Sequence, residues 1–406
     1  MSSPSLTDVD LADPRTFADQ DLAAFWHQLR QEQPLYWHPE SDDRPGFWVL
    51  SRHEDLLAIY RDTSNFTSER GNILDTLLQG GDSAAGRMLA VTDGARHVAL
   101  RRILLKSFSP RALQPILERL RSATSELVDN AVRQGAADFA KDVAAKIPLN
   151  TICDLLDVPE SDRPEVLRLT KSALASDTLE PDRMSEWLAK NDILMYFAKI
   201  ARRRKGTPHS DVVSHLAVSS IDGVELTEDE IVLNCYSLIL GGDETSRLSM
   251  IGGLHAMIDN PAQWRALRDG EVSVDGAVEE VLRWTTPTMH FGRSAVRDVE
   301  MHGQRIRAGD IVTLWHSSAD FDERVFDNPG EFDLARSPNN HVAFGYGPHF
   351  CIGAYLGRAE IRAMLATLIE KVSDIRSTGG EKRIYSNFLS GFSSLPVELF
   401  PSSGPG

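Results

Sequence analysis

The segment Phe344-Gly-Tyr-Gly-Pro-His349-Phe-Cys351-Ile-Gly353 carries the strongest chemical signal in the sequence. Cys351 directly precedes a helical run from Ala354 to about Lys371. A helix start lowers a thiol's pKa, through its dipole and its free amide N–H groups. The glycines let the backbone fold round the sulfur, so that amides can point at it. The product is an amide-solvated thiolate suited to ligate a metal. A lone cysteine is more often a buried structural residue. The spaced Phe, Gly, His, Cys and Gly together arise by chance in such a chain less than about once in ten thousand. That favours the ligand.

Three further groupings could do chemistry. His97 and Arg101 stand at i, i+4 and share a helix face, either as an anion site or as a solvated basic face. Glu280 and Arg283, at i, i+3, can pair. Gly241-Gly-Asp-Glu244-Thr245 falls in the middle of a long apolar helix. Two interior glycines there cost roughly 1 kcal/mol each relative to alanine. Either a helix crossing needs small residues, or something flat lies against the backbone.

The elements that must position these groups are mostly helical. Thr227-Glu-Asp-Glu230 is a capping box. The apolar pattern behind it continues to Asp259, and Pro261 stops it, which gives a helix of roughly 50 Å. Ile231 to Leu240 is apolar round most of the wheel, with Asn234 and Ser237 as exceptions, so this helix runs through the protein's centre. Residues 35–52 read as short strands around a turn at Asp42–Gly46. Residues 53–285 are mostly helical, 296–315 alternate like strands, and Tyr385 to Phe400 reads as a hairpin around Ser390-Gly391. The fold class is mainly α with small peripheral β-sheets (α+β), in a single domain over 1–406.

The 406 residues carry 43 basic against 59 acidic side chains, a net charge of −16. That argues against a nucleic-acid binder. Cys153, Cys235 and Cys351 are too far apart for a disulfide framework or a paired-cysteine zinc site, which fits a reducing cytosol. The N-terminus has neither a basic start nor an apolar run, and no stretch reaches the ~18 apolar residues of a membrane span. A soluble, cytoplasmic, monomeric protein with no membrane contact is expected.

The Cys351 loop resembles the haem-thiolate loop of the cytochrome P450 family, and four more segments match that family in order along nearly the whole chain. The resemblance implies the P450 fold, with haem b (iron protoporphyrin IX) between the long central helix and the Cys-loop helix. It implies Cys351 as the iron ligand, with Phe344 and Gly353 shaping the loop. His97, Arg101, Arg293 and His349 would bind the haem propionates. Gly241 to Thr245 matches the oxygen-binding motif, with Glu244 and Thr245 as the acid–alcohol pair that delivers protons. Glu280 and Arg283 match the Glu-x-x-Arg brace. The arginine that often completes that brace is absent from Pro329-Gly-Glu331-Phe332, where Arg336 could substitute. The loop often written Ala-Asn-Arg-Asp reads Ala319-Asp-Phe-Asp322.

The activity so implied is insertion of one oxygen atom from O2 into a small or medium-sized organic substrate, by hydroxylation or epoxidation, in secondary metabolism. A Gly241–Gly242 kink would open space for O2 and water. The substrate would meet Ile73, Leu74 and Leu77; Ser237, Leu240 and Gly241; Thr288, Met289 and His290; and Leu389. It could be free or bound to a carrier protein. Electrons would come from a ferredoxin or flavodoxin with an NAD(P)H reductase, steered by Arg101, Arg102, Lys106, Arg111, Arg358 and Arg362. Three rivals remain: a peroxide-driven or redox-neutral haem-thiolate enzyme, a non-catalytic haem binder, and a thiol or zinc enzyme. An intact Glu244–Thr245 pair counts against the first two. The third lacks a second cluster of metal ligands.

Overall fold

The computed structural model describes residues 9–41, 44–174, 183–205 and 211–402. Its axis is the helix Glu228–Asp259, which starts at the expected capping box: Glu230 N–H donates to Thr227 Oγ1 and Thr227 N–H to Glu230 Oε2. Pro261 opens the next helix, Pro261–Arg268. Four helices pack against the axis: Lys146–Leu155, Arg183–Arg204, Val274–Thr285 and Ala354–Lys371. The approach is close because the axis is cut back where they cross it. A Cβ on Gly242 would stand 2.9 Å from Ile152, and one on Gly253 2.7 Å from Val281. The helix continues unbroken through both mid-helix glycines.

A five-stranded sheet flanks the helices. Its order is Leu35–His38, Phe47–Leu50, Ile311–Trp315, His290–Ala295 and Phe66–Thr67. The two central strands are antiparallel, with Val312 opposite Arg293. Arg293 therefore lies inside a strand, not before one. The sequence hid this strand because almost all of it is buried on both faces, which erases the alternating pattern. Residues 42 and 43 of the expected first turn lie outside the described residues; Ser41 and Arg44 bridge beside them.

The C-terminal hairpin is also corrected. Phe392–Ser394 pairs with Lys382–Arg383, whereas Pro396–Pro401 pairs with Val372–Ser377 and with Ala136–Asp138. Residues 384–391 between them loop back instead, with Leu389 bridging Thr288. Long-range pairing outcompetes the local turn because the Val372 strand follows directly from the Cys-loop helix. The mostly helical stretch also holds four short strands, Phe66–Thr67, Ala136–Asp138 and the pair Ser220–Ile221 with Val224–Glu225.

The Glu280–Arg283 brace forms with both side chains wholly buried, through two bonds of 2.7 and 2.8 Å. Arg336 completes it: its Nε donates to Glu280 Oε2 at 3.1 Å. Its other nitrogens cap the Asp327, Asn328 and Glu331 carbonyls. No helix among the described residues is long and apolar enough to cross a membrane.

Candidate haem-thiolate site

The Cys351 loop is set by two backbone turns. Gly345 and Gly347 take φ of 68° and 70°, the left-handed region that glycine enters freely. At Gly347 a Cβ would stand 2.7 Å from the Tyr60 carbonyl. Cys351 N–H donates to the Phe344 carbonyl at 2.9 Å, which closes the loop. The helix Ala354–Lys371 then begins where expected. Cys351 is exposed and lines a cavity.

That cavity lies between the Cys loop and the central helix. Phe344, His349, Cys351, Gly353, His97 and Arg101 line one part; Ser237, Gly241, Gly242 and Thr245 line the helix side. The two mid-helix glycines divide the alternatives between them. Gly242 serves the helix crossing, while Gly241 faces the cavity, with no atom within 4 Å of where a Cβ would stand.

One end of the cavity is cationic. The His97 and His349 rings lie 4.3 Å apart. His97 Nε2 is buried with no hydrogen-bond partner, and burial beside His349 and Arg101 pushes this histidine down to about 4. His349 Nε2 donates to Asp93 Oδ1 at 2.7 Å. Asp93 Oδ2 also accepts from Thr67 Oγ1 and the Ser68 amide, and together these donors outweigh its burial and hold it well below the usual carboxylate range. Arg293 is buried over the Tyr60 ring and donates to the Gly292 carbonyl; among the described residues no carboxylate pairs with it. Burial lowers its pKa, against Tyr60 and Asp93. Arg101 donates to the Phe350 carbonyl.

Two electrostatic expectations need correction. The protein by itself raises the Cys351 pKa, because burial outweighs the Gly353 amide, Arg101 and Arg358. Glu244 does not line the cavity: its carboxylate grips Arg247 one turn on, both side chains being buried. Thr245 does line it, with Oγ1 donating to the Gly241 carbonyl at 2.9 Å.

Of the other expected substrate-contact positions, Leu74, Leu77 and Met289 share a core cluster with Trp315. His290 is wholly buried against Trp315, and Leu389 packs on Leu248. Thr288 bridges Leu389, while Ile73 precedes the short helix Leu74–Leu78. Leu240 packs against the helical core. None of these lines the cavity. Leu89, Ala90, Asn234, Ser246 and Glu360 line it without having been singled out as site residues. Glu360 is pushed up to about 8 by burial, and nearby Asp243 to about 7 by burial and by Glu244. Nothing local marked Glu360, whose helix also carries Arg358, Arg362, Glu370 and Lys371, nor Leu89 or Ala90.

A flat tetrapyrrole with two carboxylate arms fits these residues. The sulfur stands on one wall, a bare glycine on the other, and an orphaned imidazole nitrogen with Arg101 at one end. Arg293 does not line the cavity but is buried close enough to act on His97 and His349. Among the described residues no three His, Cys, Asp or Glu side chains could hold a bare metal ion, which leaves the zinc reading without support.

Comparison with known proteins agrees. A family model described as cytochrome P450 matches residues 273–397. The chain is 48% identical over 398 residues to cytochrome P450 NovI of Streptomyces niveus, covering 98% of both proteins. It is 33% identical to a steroid C26-monooxygenase of Mycobacterium tuberculosis, covering 97% of this chain and 98% of that one. The crystal structure of P450 OxyD, involved in the biosynthesis of vancomycin-type antibiotics, superimposes with a TM-score of 0.88 at 32% identity, covering 97% and 100%. With such identity along the full length, and a thiolate loop facing a bare-glycine helix, the chain belongs to the cytochrome P450 family and is a haem-thiolate monooxygenase.

Proposed function

We propose that this monooxygenase holds haem b through Cys351 and hydroxylates or epoxidises a small or medium-sized organic substrate of secondary metabolism, either free or bound to a carrier protein. The observation that carries the haem assignment is the convergence of Cys351, the orphaned His97 Nε2 and bare Gly241 on one cavity. The haem supplies oxygen activation, which a thiolate ligand favours.

The protein's own groups do the rest. A metal-coordinated thiol loses its proton, so the raised Cys351 pKa is overcome when iron binds. His97, Arg101, Arg293 and His349 hold the propionates, and Asp93 fixes the His349 ring by Nε2. Phe344 and Gly353 shape the loop round the sulfur. Thr245 Oγ1 is the proton-bearing hydroxyl at the cavity wall, since a hydroxyl can accept and donate at once. Glu244 stands behind it, and its ion pair with Arg247 must open before it exchanges protons.

Electrons arrive from a ferredoxin or flavodoxin and its NAD(P)H reductase. Exposed Arg102, Lys106 and Arg111 near the Cys side support this docking face. Arg358 and Arg362 are engaged with Glu279 and Asp275 and contribute less charge than expected. The working setting is a cytoplasmic monomer. Secondary metabolism is supported by OxyD and by a neighbour described as the P450 of a bacillaene polyketide synthase. The test is a Soret-shift screen of free acids against the same acids loaded on carrier protein. A shift with the loaded form alone assigns a carrier-bound substrate, shifts with the free compounds assign a free one, and no shift with either across the screen overturns the reading.

A further inference from the structure

Asn234 is one of the two polar residues, with Ser237, that interrupt the apolar first half of the central helix, and the proton chemistry makes no use of it. It is 1% exposed and lines the cavity, yet both of its donors and one acceptor site are directed at the protein. Its Oδ1 accepts from the Leu89 amide at 2.9 Å. Its Nδ2 donates to the Arg87 carbonyl at 2.9 Å and to the Glu230 carbonyl at 2.7 Å. With both amide hydrogens spent, it has no donor left to offer a substrate.

What it grips is a stretch that itself forms cavity wall. Leu89 and Ala90 line the cavity and sit in a single short turn, Leu89–Val91. That turn is folded on itself by Gly86 N–H to the Val91 carbonyl and by Thr92 Oγ1 to the Met88 carbonyl. Two ion pairs also join this neighbourhood to the central helix, Arg87 with Asp229 and Arg96 with Glu230. The Arg87–Asp229 pair is exposed at 43% and 72%, and pairs of that kind contribute little. The bonds to Leu89 and Glu230 are buried, and removing the side chain leaves the buried Leu89 amide without its acceptor, which is the costly case.

The geometry points to Asn234 as the positioning residue that sets the height of the Leu89–Ala90 wall over the cavity, and so the size limit on what enters. The inference rests on reading this cavity as the haem site, and the test separates the two. Holoprotein is compared as wild type, Asn234→Ala and Asn234→Asp, with Arg87→Ala as the control that removes the exposed ion pair and a local bond to the Ser83 carbonyl but leaves the three Asn234 bonds in place. Amide hydrogen exchange over residues 86–92 is read by mass spectrometry, and binding of imidazole, 4-phenylimidazole and a biphenylimidazole by the Soret shift.

In Asn234→Ala, exchange over 86–92 rises about tenfold or more, and affinity for the biphenyl probe relative to imidazole rises about tenfold. Asn234→Asp keeps the Leu89 contact, loses both donations and falls between. Arg87→Ala leaves the affinity ratio unchanged. An unchanged ratio or unchanged exchange in both Asn234 variants overturns the proposal, and so does an Arg87→Ala effect as large as that of Asn234→Ala. If Asn234→Ala does not fold, Asn234→Asp alone decides. Failure of wild type to bind any azole overturns the haem-site reading instead.

Discussion

Asp93 Oδ1 and His349 Nε2, 256 residues apart in the chain, lie 2.7 Å from each other. Asp93 occupies the N-cap position of the helix Gly94–Leu105, yet its side chain makes no cap bond. It spends its two oxygens on His349, Thr67 and Ser68. It thereby ties the Cys loop to the edge strand Phe66–Thr67 and orients a ring at the cationic end of the cavity.

Asp93→Asn should lower haem retention and stability near pH 7, because hydrogen bonds to a charged group are worth about 1.5–3 kcal/mol. The folded pKa of Asp93 is depressed, so its contribution is present above the usual aspartate range and is lost as pH falls through the folded value. The gap in Tm between wild type and variant should close below about pH 4. A gap that persists in acid would show that the charge of Asp93 is not what matters.

Cys351→Ser should abolish the thiolate-type Soret band of the ferrous–CO complex, because oxygen is a weaker electron donor. Cys153→Ser and Cys235→Ser should leave the band intact, since both thiols are buried in the core and pushed up to about 12 or beyond. A retained band in the Cys351 variant would exclude it as the ligand.

Thr245→Val keeps shape and removes the hydroxyl that now bonds the Gly241 carbonyl. Haem content and substrate binding should hold, while product per NAD(P)H falls by an order of magnitude and hydrogen peroxide rises to match. Arg247→Ala, which removes the guanidinium that Glu244 grips, is the companion variant. Unchanged coupling in Thr245→Val would reduce Thr245 to packing.

Two buried acids give the protein a pH signature. Asp243 is pushed up to about 7 and Glu360 to about 8, chiefly by burial. A carboxyl whose folded pKa is raised binds its proton more tightly in the native state, so stability falls as pH rises from the unfolded value towards the folded one. Between about pH 4 and 7 wild type should lose stability relative to Asp243→Asn, by at least about 1.4 kcal/mol, the worth of one pH unit of preferential protonation. Parallel unfolding curves for the two proteins across that range would show that Asp243 is ionised throughout.

The sequence by itself determined the parts whose information is local. The capping box at Thr227, the stop at Pro261, the Ala354 helix behind Cys351 and the Glu280–Arg283 pair are each written within a few residues. A turn, a cap or an i, i+3 contact needs no distant partner. Tertiary structure alone decided which side chains face the cavity and what they are bonded to. Glu244 and Thr245 are neighbours in sequence, but the helix turns them about 100° apart. One meets Arg247 and the other the cavity. Arg336 completed the brace because its loop folds back onto Glu280, a contact across 56 residues. Leu89 and Ala90 became cavity wall through Asn234, across about 145 residues. The strand His290–Ala295 and the split C-terminal pairing escaped the sequence for the same reason. Burial on both faces removes the alternation that marks a strand, and the choice of strand partner depends on where the rest of the chain has already packed.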